Sequence, residues 1–131
     1  VFNMTKQVIK PMMKAKSGSI INMSSVIGEM GNAGQASYAA SKAGLEGFTR
    51  SLAKEVVSKN ITANTLAYGY MEAGMIDVLT DEMKAIVRAM IPANKFGPTE
   101  DILSAILYLA DNKSTYITGQ TLHVNGGMYM G

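Results

Sequence analysis

Apolar residues at Val1, Met4, Val8, Ile9, Met12 and Met13 recur at a spacing close to helical, and Lys14 and Lys16 fall where cations favour a helix carboxyl end. The pattern predicts a helix over residues 1–16. No capping residue precedes it, so the chain is expected to start mid-element. Ser17-Gly18 then punctuates, and the run Ser19-Ile20-Ile21-Asn22-Met23-Ser24 reads as a buried strand. Gly28, Gly31 and Gly34 mark a loop from Ser25 to about Gln35.

The longest helical pattern runs from about Ala36 to Ser58. Leu45, Phe48, Leu52, Val56 and Val57 form one stripe, while Ala40, Ala43, Gly44 and Gly47 form a second surface of small residues. Two non-polar faces imply contact on two sides, one with the sheet and the other with a second subunit or a further internal layer. Ile61 to Ala67, bounded by Asn60 and by Tyr68-Gly69, fits a second buried strand. Met71 to Met90 reads as a loop and a helix, followed by punctuation at Pro92 and Gly97-Pro98. A further helix is predicted over Thr99 to Ala110, with Thr99 as cap and Asp101 in the first turn. Ile117-Thr118-Gly119 reads as a turn, Gln120 to Val124 as a strand and Asn125-Gly126-Gly127 as a tail. Helix, strand, helix, strand, helix, helix, strand is the order of an α/β fold with a parallel sheet.

Composition agrees with that reading. At 131 residues, 47% hydrophobic and 17% charged, the chain has the profile of one soluble globular domain able to bury a core. A formal net charge of +2 with scattered Lys and Arg argues against a nucleic-acid or anionic-membrane partner. The absence of Cys excludes disulfides and thiolate metal ligands, and no metal site is expected. No apolar run reaches the roughly 18 to 20 residues that span a bilayer, and no signal-peptide pattern opens the chain, so cytoplasm is the expected compartment. The eleven Met residues read as core and interface filling. His123, the one histidine, lies in Thr121-Leu122-His123-Val124 and is expected to be structural or at a subunit contact.

Candidate chemistry centres on Tyr38-Ala39-Ala40-Ser41-Lys42, with Ser25 upstream. On a helix, Tyr38 and Lys42 are an i,i+4 pair sharing one face. An ammonium beside a phenol favours the phenolate and lowers its pKa from near 10 toward the range useful for acid-base catalysis. A nearby serine hydroxyl can hold a carbonyl oxygen. Taken alone, the pair reads first as a packed Tyr with a solvated Lys one turn on, because i,i+4 pairs are commonplace on helices.

The run from Val1-Phe2-Asn3-Met4-Thr5-Lys6, through Ile21-Asn22-Met23-Ser24-Ser25, Tyr38-Ala39-Ala40-Ser41-Lys42 and Ile61-Thr62-Ala63-Asn64, to Tyr116-Ile117-Thr118-Gly119-Gln120 and Val124-Asn125-Gly126-Gly127, resembles the carboxy-terminal half of a short-chain dehydrogenase/reductase. It looks most like the 3-oxoacyl-[acyl-carrier-protein] reductase branch. The resemblance covers essentially the whole chain. It implies a single truncated domain over 1–131: the carboxy-terminal part of a Rossmann-type parallel sheet, about three strands with flanking helices, without the amino-terminal Gly-rich half. It implies Tyr38 as general acid, Lys42 as the group that tunes it and bonds the nicotinamide ribose, and Ser25 as holder of the substrate oxygen. Tyr38, Lys42, Gly69 and Met71 are the implied contacts of an NADP or NAD cofactor. The implied substrate is a ketone linked to acyl carrier protein or similar, within fatty acid biosynthesis. The implied partner is a second copy of the chain or the missing amino-terminal half.

The sequence also departs from the family pattern. There is no glycine-rich turn after a first strand to cradle a pyrophosphate, and the family's catalytic Asn would lie just before Val1, since Asn3 is not its equivalent. Tyr68-Gly69 stands where Pro-Gly is usual, Ala73 where a Thr bonds the carboxamide, and Gly74 where a polar residue is usual. The strand at Ser19 to Ser24 is expected to leave one apolar edge bare, which favours association. Two functions stay open: a carbonyl reductase half that is silent in isolation, or a non-catalytic, self-associating α/β domain keeping these residues by descent.

Overall fold

The computed structural model describes residues 1–131, the side chain of Met75 excepted. The first helix, α1 (Phe2–Ala15), ends at Lys16, whose left-handed backbone turns its N–H back to the Met12 carbonyl. Pro11 lies inside this helix, where its missing N–H leaves the Gln7 carbonyl without the usual helical donor. Strand β1 (Gly18–Ser25) follows. The segment after it, expected as loop, begins with a short helix, α2 (Val26–Met30). Its physical cause is the Ser25 hydroxyl, which accepts from the Ile27 N–H at 3.2 Å and caps the turn.

Helix α3 (Ala36–Val56) continues into a 3₁₀ turn at Val57–Lys59. Strand β2 (Ile61–Tyr68) comes next, then a second 3₁₀ turn (Met75–Val78) and helix α4 (Asp81–Ala89). Helix α5 (Thr99–Ala110) starts one residue earlier than expected from its cap: Pro98 holds the capping position and no side chain caps the end. The Pro98 carbonyl accepts from the Asp101 N–H at 3.1 Å, so Thr99 is already inside the helix. Strand β3 (Thr121–Val124) closes the order.

The three strands form one parallel sheet in the order β1-β2-β3. Parallel pairing of β1 with β2 runs the whole length, from Gly18 opposite Ile61 to Ser25 opposite Tyr68. β2 is buried along its length apart from Tyr68, as a central strand covered on both faces should be. β1 lies at the sheet edge, as expected. Leu52, Ala53 and Val56 of α3 pack on Ile61 and Ala63 of β2, with Ile9, Met12, Ile20 and Phe48 against them.

The buried stripe of α3 differs from the predicted one. It consists of Glu46, Thr49, Leu52, Ala53 and Val56, while Leu45 and Phe48 are half-buried and Val57 is exposed. The reason is that β1 meets the first half of this stripe with polar side chains. Asn22 Nδ2 donates to Thr49 Oγ1 at 2.8 Å, and Ser24 Oγ donates to Glu46 Oε1 at 2.9 Å. A burial rule that counts only apolar positions misses such a face.

The short helix sits directly on the long one. A Cβ at Gly28 would lie 3.0 Å from Lys42 Cβ and 3.1 Å from the Ala43 backbone nitrogen. Helix backbone cannot yield, so Gly28→Ala is expected to destabilise the fold by about 1–2 kcal/mol, the overpacking cost less the helix-propensity gain of Ala over Gly. Urea denaturation of the two chains measures it, and an unchanged or raised midpoint would refute the close approach.

Candidate active site

The carboxyl ends of β1 and β2 finish level, and Ser25 is the register partner of Tyr68. Partners in a parallel ladder project to the same side of the sheet. The two hydroxyl-bearing side chains therefore leave the same face at the strand ends, where open parallel sheets bind ligands. α3 brings Tyr38 to the same place from its first turn. Ser25, Tyr38, Tyr68, Gly69, Met71 and Ala73 line one cavity of about 240 Å³. That is smaller than the roughly 300–1,000 Å³ of sites that enclose a whole drug-sized ligand. Its size suits the reacting end of one.

Lys42 does not line the cavity. It stands behind Tyr38, with Nζ 5.6 Å from the phenol ring centroid and donating to the Met23 carbonyl of β1 at 2.8 Å. The i,i+4 spacing thus places the ammonium on the Tyr38 side of α3, and a strand carbonyl fixes it there. Ser25 is buried, and its hydroxyl is partly engaged in capping α2. That bond uses an oxygen lone pair and leaves the O–H free to donate.

Two backbone features give the cavity a firm wall. The Gly69 N–H donates to the Val124 carbonyl at 3.0 Å, and a Cβ there would come within 3.0 Å of Asn125 Cα. Met71 forms a parallel bridge with Gly97; the Gly97 N–H reaches the Tyr70 carbonyl and the Glu72 N–H the Gly97 carbonyl, both at 2.9 Å. Behind this wall Ile76, Ile91 and Phe96 make a second apolar cluster with Tyr70, Leu79 and Val87. Gly74 has a local reason for its identity: at φ 87 it opens the 3₁₀ turn, with its N–H donating to Asp77 Oδ2 at 3.0 Å. Ala73 lines the cavity without a hydroxyl to offer.

Tyr68, which stands where Pro is usual, adds a second phenol to the cavity. Burial raises its pKa, and the nearby Tyr38 phenol raises it further, so Tyr68 stays a neutral donor across the physiological range. Glu46 is the second overlooked group. It lies four residues after Lys42 and eight after Tyr38, on the stripe that faces β1, and its one visible signal was a charge interrupting an otherwise core-facing pattern. Elsewhere, the His123 ring lies 5.0 Å from the Tyr129 ring, a packing role. Among the described residues, no group of three or more His, Asp or Glu is placed to hold a metal, and no helix is long and apolar enough to cross a membrane.

A family model described as Enoyl-(Acyl carrier protein) reductase matches residues 1–129. Over 130 residues the chain is 52% identical to the 3-oxoacyl-[acyl-carrier-protein] reductase of Vibrio cholerae, an alignment covering 99% of this chain and 53% of that protein. Identity to the 3-oxoacyl-[acyl-carrier-protein] reductase of Escherichia coli is 51%, and to Nodulation protein G of a Rhizobium species 48%, with the same shares covered. The chain spans about half the length of the curated relatives it matches.

The proximity of the two phenols is open to direct titration. Subtracting the ultraviolet pH titration of Tyr68→Phe from that of the unaltered chain isolates Tyr68, which is expected to ionise above the ordinary tyrosine value of about 10. In a Tyr38→Phe background the Tyr68 midpoint should fall, because one of the two causes of the rise is removed. An unmoved midpoint would place the two rings out of electrostatic reach.

Proposed function

Because the chain belongs to the short-chain dehydrogenase/reductase family, we propose that it is the catalytic half of an NAD(P)-dependent carbonyl reductase. The proposed reaction reduces a 3-oxoacyl thioester on acyl carrier protein to the 3-hydroxyacyl thioester, in cytoplasmic fatty acid biosynthesis. The observation that carries this reading is the meeting of Ser25 and Tyr38 in one cavity with the Lys42 ammonium behind the phenol.

The donor set suits a nicotinamide nucleotide at its reacting end. Two hydroxyls and one fixed ammonium can serve a carbonyl oxygen and a ribose, and the firm backbone at Gly69 and Met71 can border the ring. Tyr38 and Lys42 would hold the ribose side. The carboxamide would rely on backbone groups, because Ala73 brings no hydroxyl. When bound, the nicotinamide supplies the hydride that reaches the ketone carbon.

The chain's own groups supply the rest. Ser25 donates its O–H to the ketone oxygen and fixes the carbonyl in the cavity. Tyr38 gives its phenolic proton to the same oxygen as negative charge develops there. Lys42, held by the Met23 carbonyl, stabilises the charge left on the phenol oxygen. The proton lost by Tyr38 is recovered from solvent through the open cavity mouth. These 131 residues contain no glycine-rich turn of the kind that cradles a pyrophosphate, so turnover is assigned to an assembly with an amino-terminal Rossmann segment.

A second reading, a self-associating domain without catalysis, draws support from the exposed Phe2, Met4 and Val8 on α1 and the exposed Ala43 and Gly44 on α3. These surfaces suit a homo-oligomer under either reading, and solution mass together with cofactor titration discriminates between them.

The chain is to be assayed with NADPH and an acetoacetyl thioester, alone and co-expressed with the amino-terminal half of a 3-oxoacyl-[acyl-carrier-protein] reductase. Turnover is expected only in the assembly, and Tyr38→Phe should reduce it by roughly 10²–10⁴-fold, the usual contribution of a general acid. An assembly that binds NADPH yet leaves the thioester unreduced would sink the reductase reading.

A further inference from the structure

Tyr68 carries the one cavity hydroxyl to which the mechanism above gives no task. It ends β2, the central strand, and is paired on both sides, with Ser25 of β1 and Val124 of β3. The next residue, Gly69, donates its N–H to the Val124 carbonyl at 3.0 Å and has no room for a Cβ against Asn125. The backbone that carries the phenol is thus fixed from both flanking strands. Of the hydroxyls that border the cavity, Ser25 Oγ accepts from the Ile27 N–H, whereas those of Tyr38 and Tyr68 bond to no described residue. A phenol held in a cavity wall with its O–H unspent is a preorganised donor.

The two phenols are not equivalent. Lys42 Nζ stands 5.6 Å from the Tyr38 ring centroid, and among the described residues no cation lies over the Tyr68 ring. A cation stabilises phenolate, so Tyr38 is the phenol suited to give up a proton and Tyr68 the one suited to keep it. Burial and the neighbouring Tyr38 act in the same direction on Tyr68, raising its pKa. Tyr68 also differs from Ser25 in reach. Neighbouring strands run about 4.8 Å apart, and a phenol carries its hydroxyl a ring's length further from the backbone than a serine does. Ser25 and Tyr68 therefore serve two separate points of one small cavity. A 3-oxoacyl thioester offers two acceptors, the ketone oxygen and, one methylene along, the thioester carbonyl oxygen.

We propose that Tyr68 is a specificity-determining residue: its O–H donates to the thioester carbonyl oxygen while Ser25 and Tyr38 hold the ketone oxygen, which selects substrates with a second carbonyl one methylene from the ketone. The identity of the ligand rests on the reductase reading; the placement of the donor does not. Proline, usual at this position, would bring no hydroxyl. A ligand without the second carbonyl leaves the half-buried O–H to water, so the selection amounts to one neutral hydrogen bond, roughly 3- to 10-fold in affinity.

The test compares two probes on the 131-residue chain by NMR titration: the acetoacetyl thioester of N-acetylcysteamine, and the matching thioether in which a CH₂ replaces the thioester carbonyl. The thioester is expected to bind roughly 3- to 10-fold more tightly. Tyr68→Phe keeps the ring and its packing, and it should remove that preference by weakening the thioester alone. A ring that only fills space predicts no such split between the probes. Equal binding of the two probes by the unaltered chain, including no binding of either, or a preference that survives Tyr68→Phe, would overturn the assignment. So would a Tyr68→Phe loss confined to nicotinamide mononucleotide, which would give the hydroxyl to the carboxamide instead. Neither probe has to be reduced, so the two readings fail separately: an assembly that reduces the thioester while Tyr68 confers no preference keeps the reductase and loses this role.

Discussion

A helix that carries the candidate site groups Tyr38 and Lys42 on its first turns must be held against the sheet in one register, and here buried hydrogen bonds hold it. Asn22 and Ser24, alternate residues on one face of β1, bond to Thr49 and Glu46 on α3. Thr49 in turn donates to the Leu45 carbonyl at 2.8 Å. Each such bond adds only about 0.5–1.5 kcal/mol net, but leaving its buried partners unmade costs about 1–3 kcal/mol. Apolar contacts tolerate a shift of an ångström or two, whereas these do not. A slip of α3 along β1 would strand Asn22, Ser24 and Glu46 together, so Tyr38 is positioned by polar pairs about two and three turns below it, and Lys42 by the same pairs about one and two turns below.

The sheet sets the other half of the geometry. Full-length parallel pairing of β1 with β2 ends both strands at one level, and Ser25 and Tyr68 meet there as partners. Tyr68 then occupies the wall opposite Tyr38 with a donor that stays neutral. The cavity is thus bordered by three hydroxyl groups, those of Ser25, Tyr38 and Tyr68. The tail reinforces the arrangement: the Ala93 N–H bonds to the Gly126 carbonyl, and Asn125 packs against Gly69.

Most of the element order was legible in the chain, for reasons that differ by element. β2 announced itself by a β-branched and apolar run between Asn60 and Tyr68, and α3 by its length and small residues. α2 was not legible, because a helix of five residues is decided by one capping bond from Ser25 rather than by periodicity. Pro98 in place of Thr99 at the start of α5 shows the same dependence on a single backbone bond. At the site, Tyr38, Lys42 and Ser25 stood out by residue type and spacing, whereas Glu46 was hidden. A charged residue among half-apolar neighbours reads as solvent-facing unless the strand opposite is known to be polar there. Gly74, where the family usually has a polar residue, occupies a positive-φ position that opens a 3₁₀ turn.

The central claim is that Ser25 and Tyr38 act on one carbonyl oxygen as a unit. A double-mutant cycle on kcat/KM in the assembled enzyme, with Ser25→Ala, Tyr38→Phe and the pair, tests it most directly. Groups acting as a unit lose their joint effect when either is removed, so the double variant should be about as slow as the slower single variant. Losses that multiply independently would contradict the account.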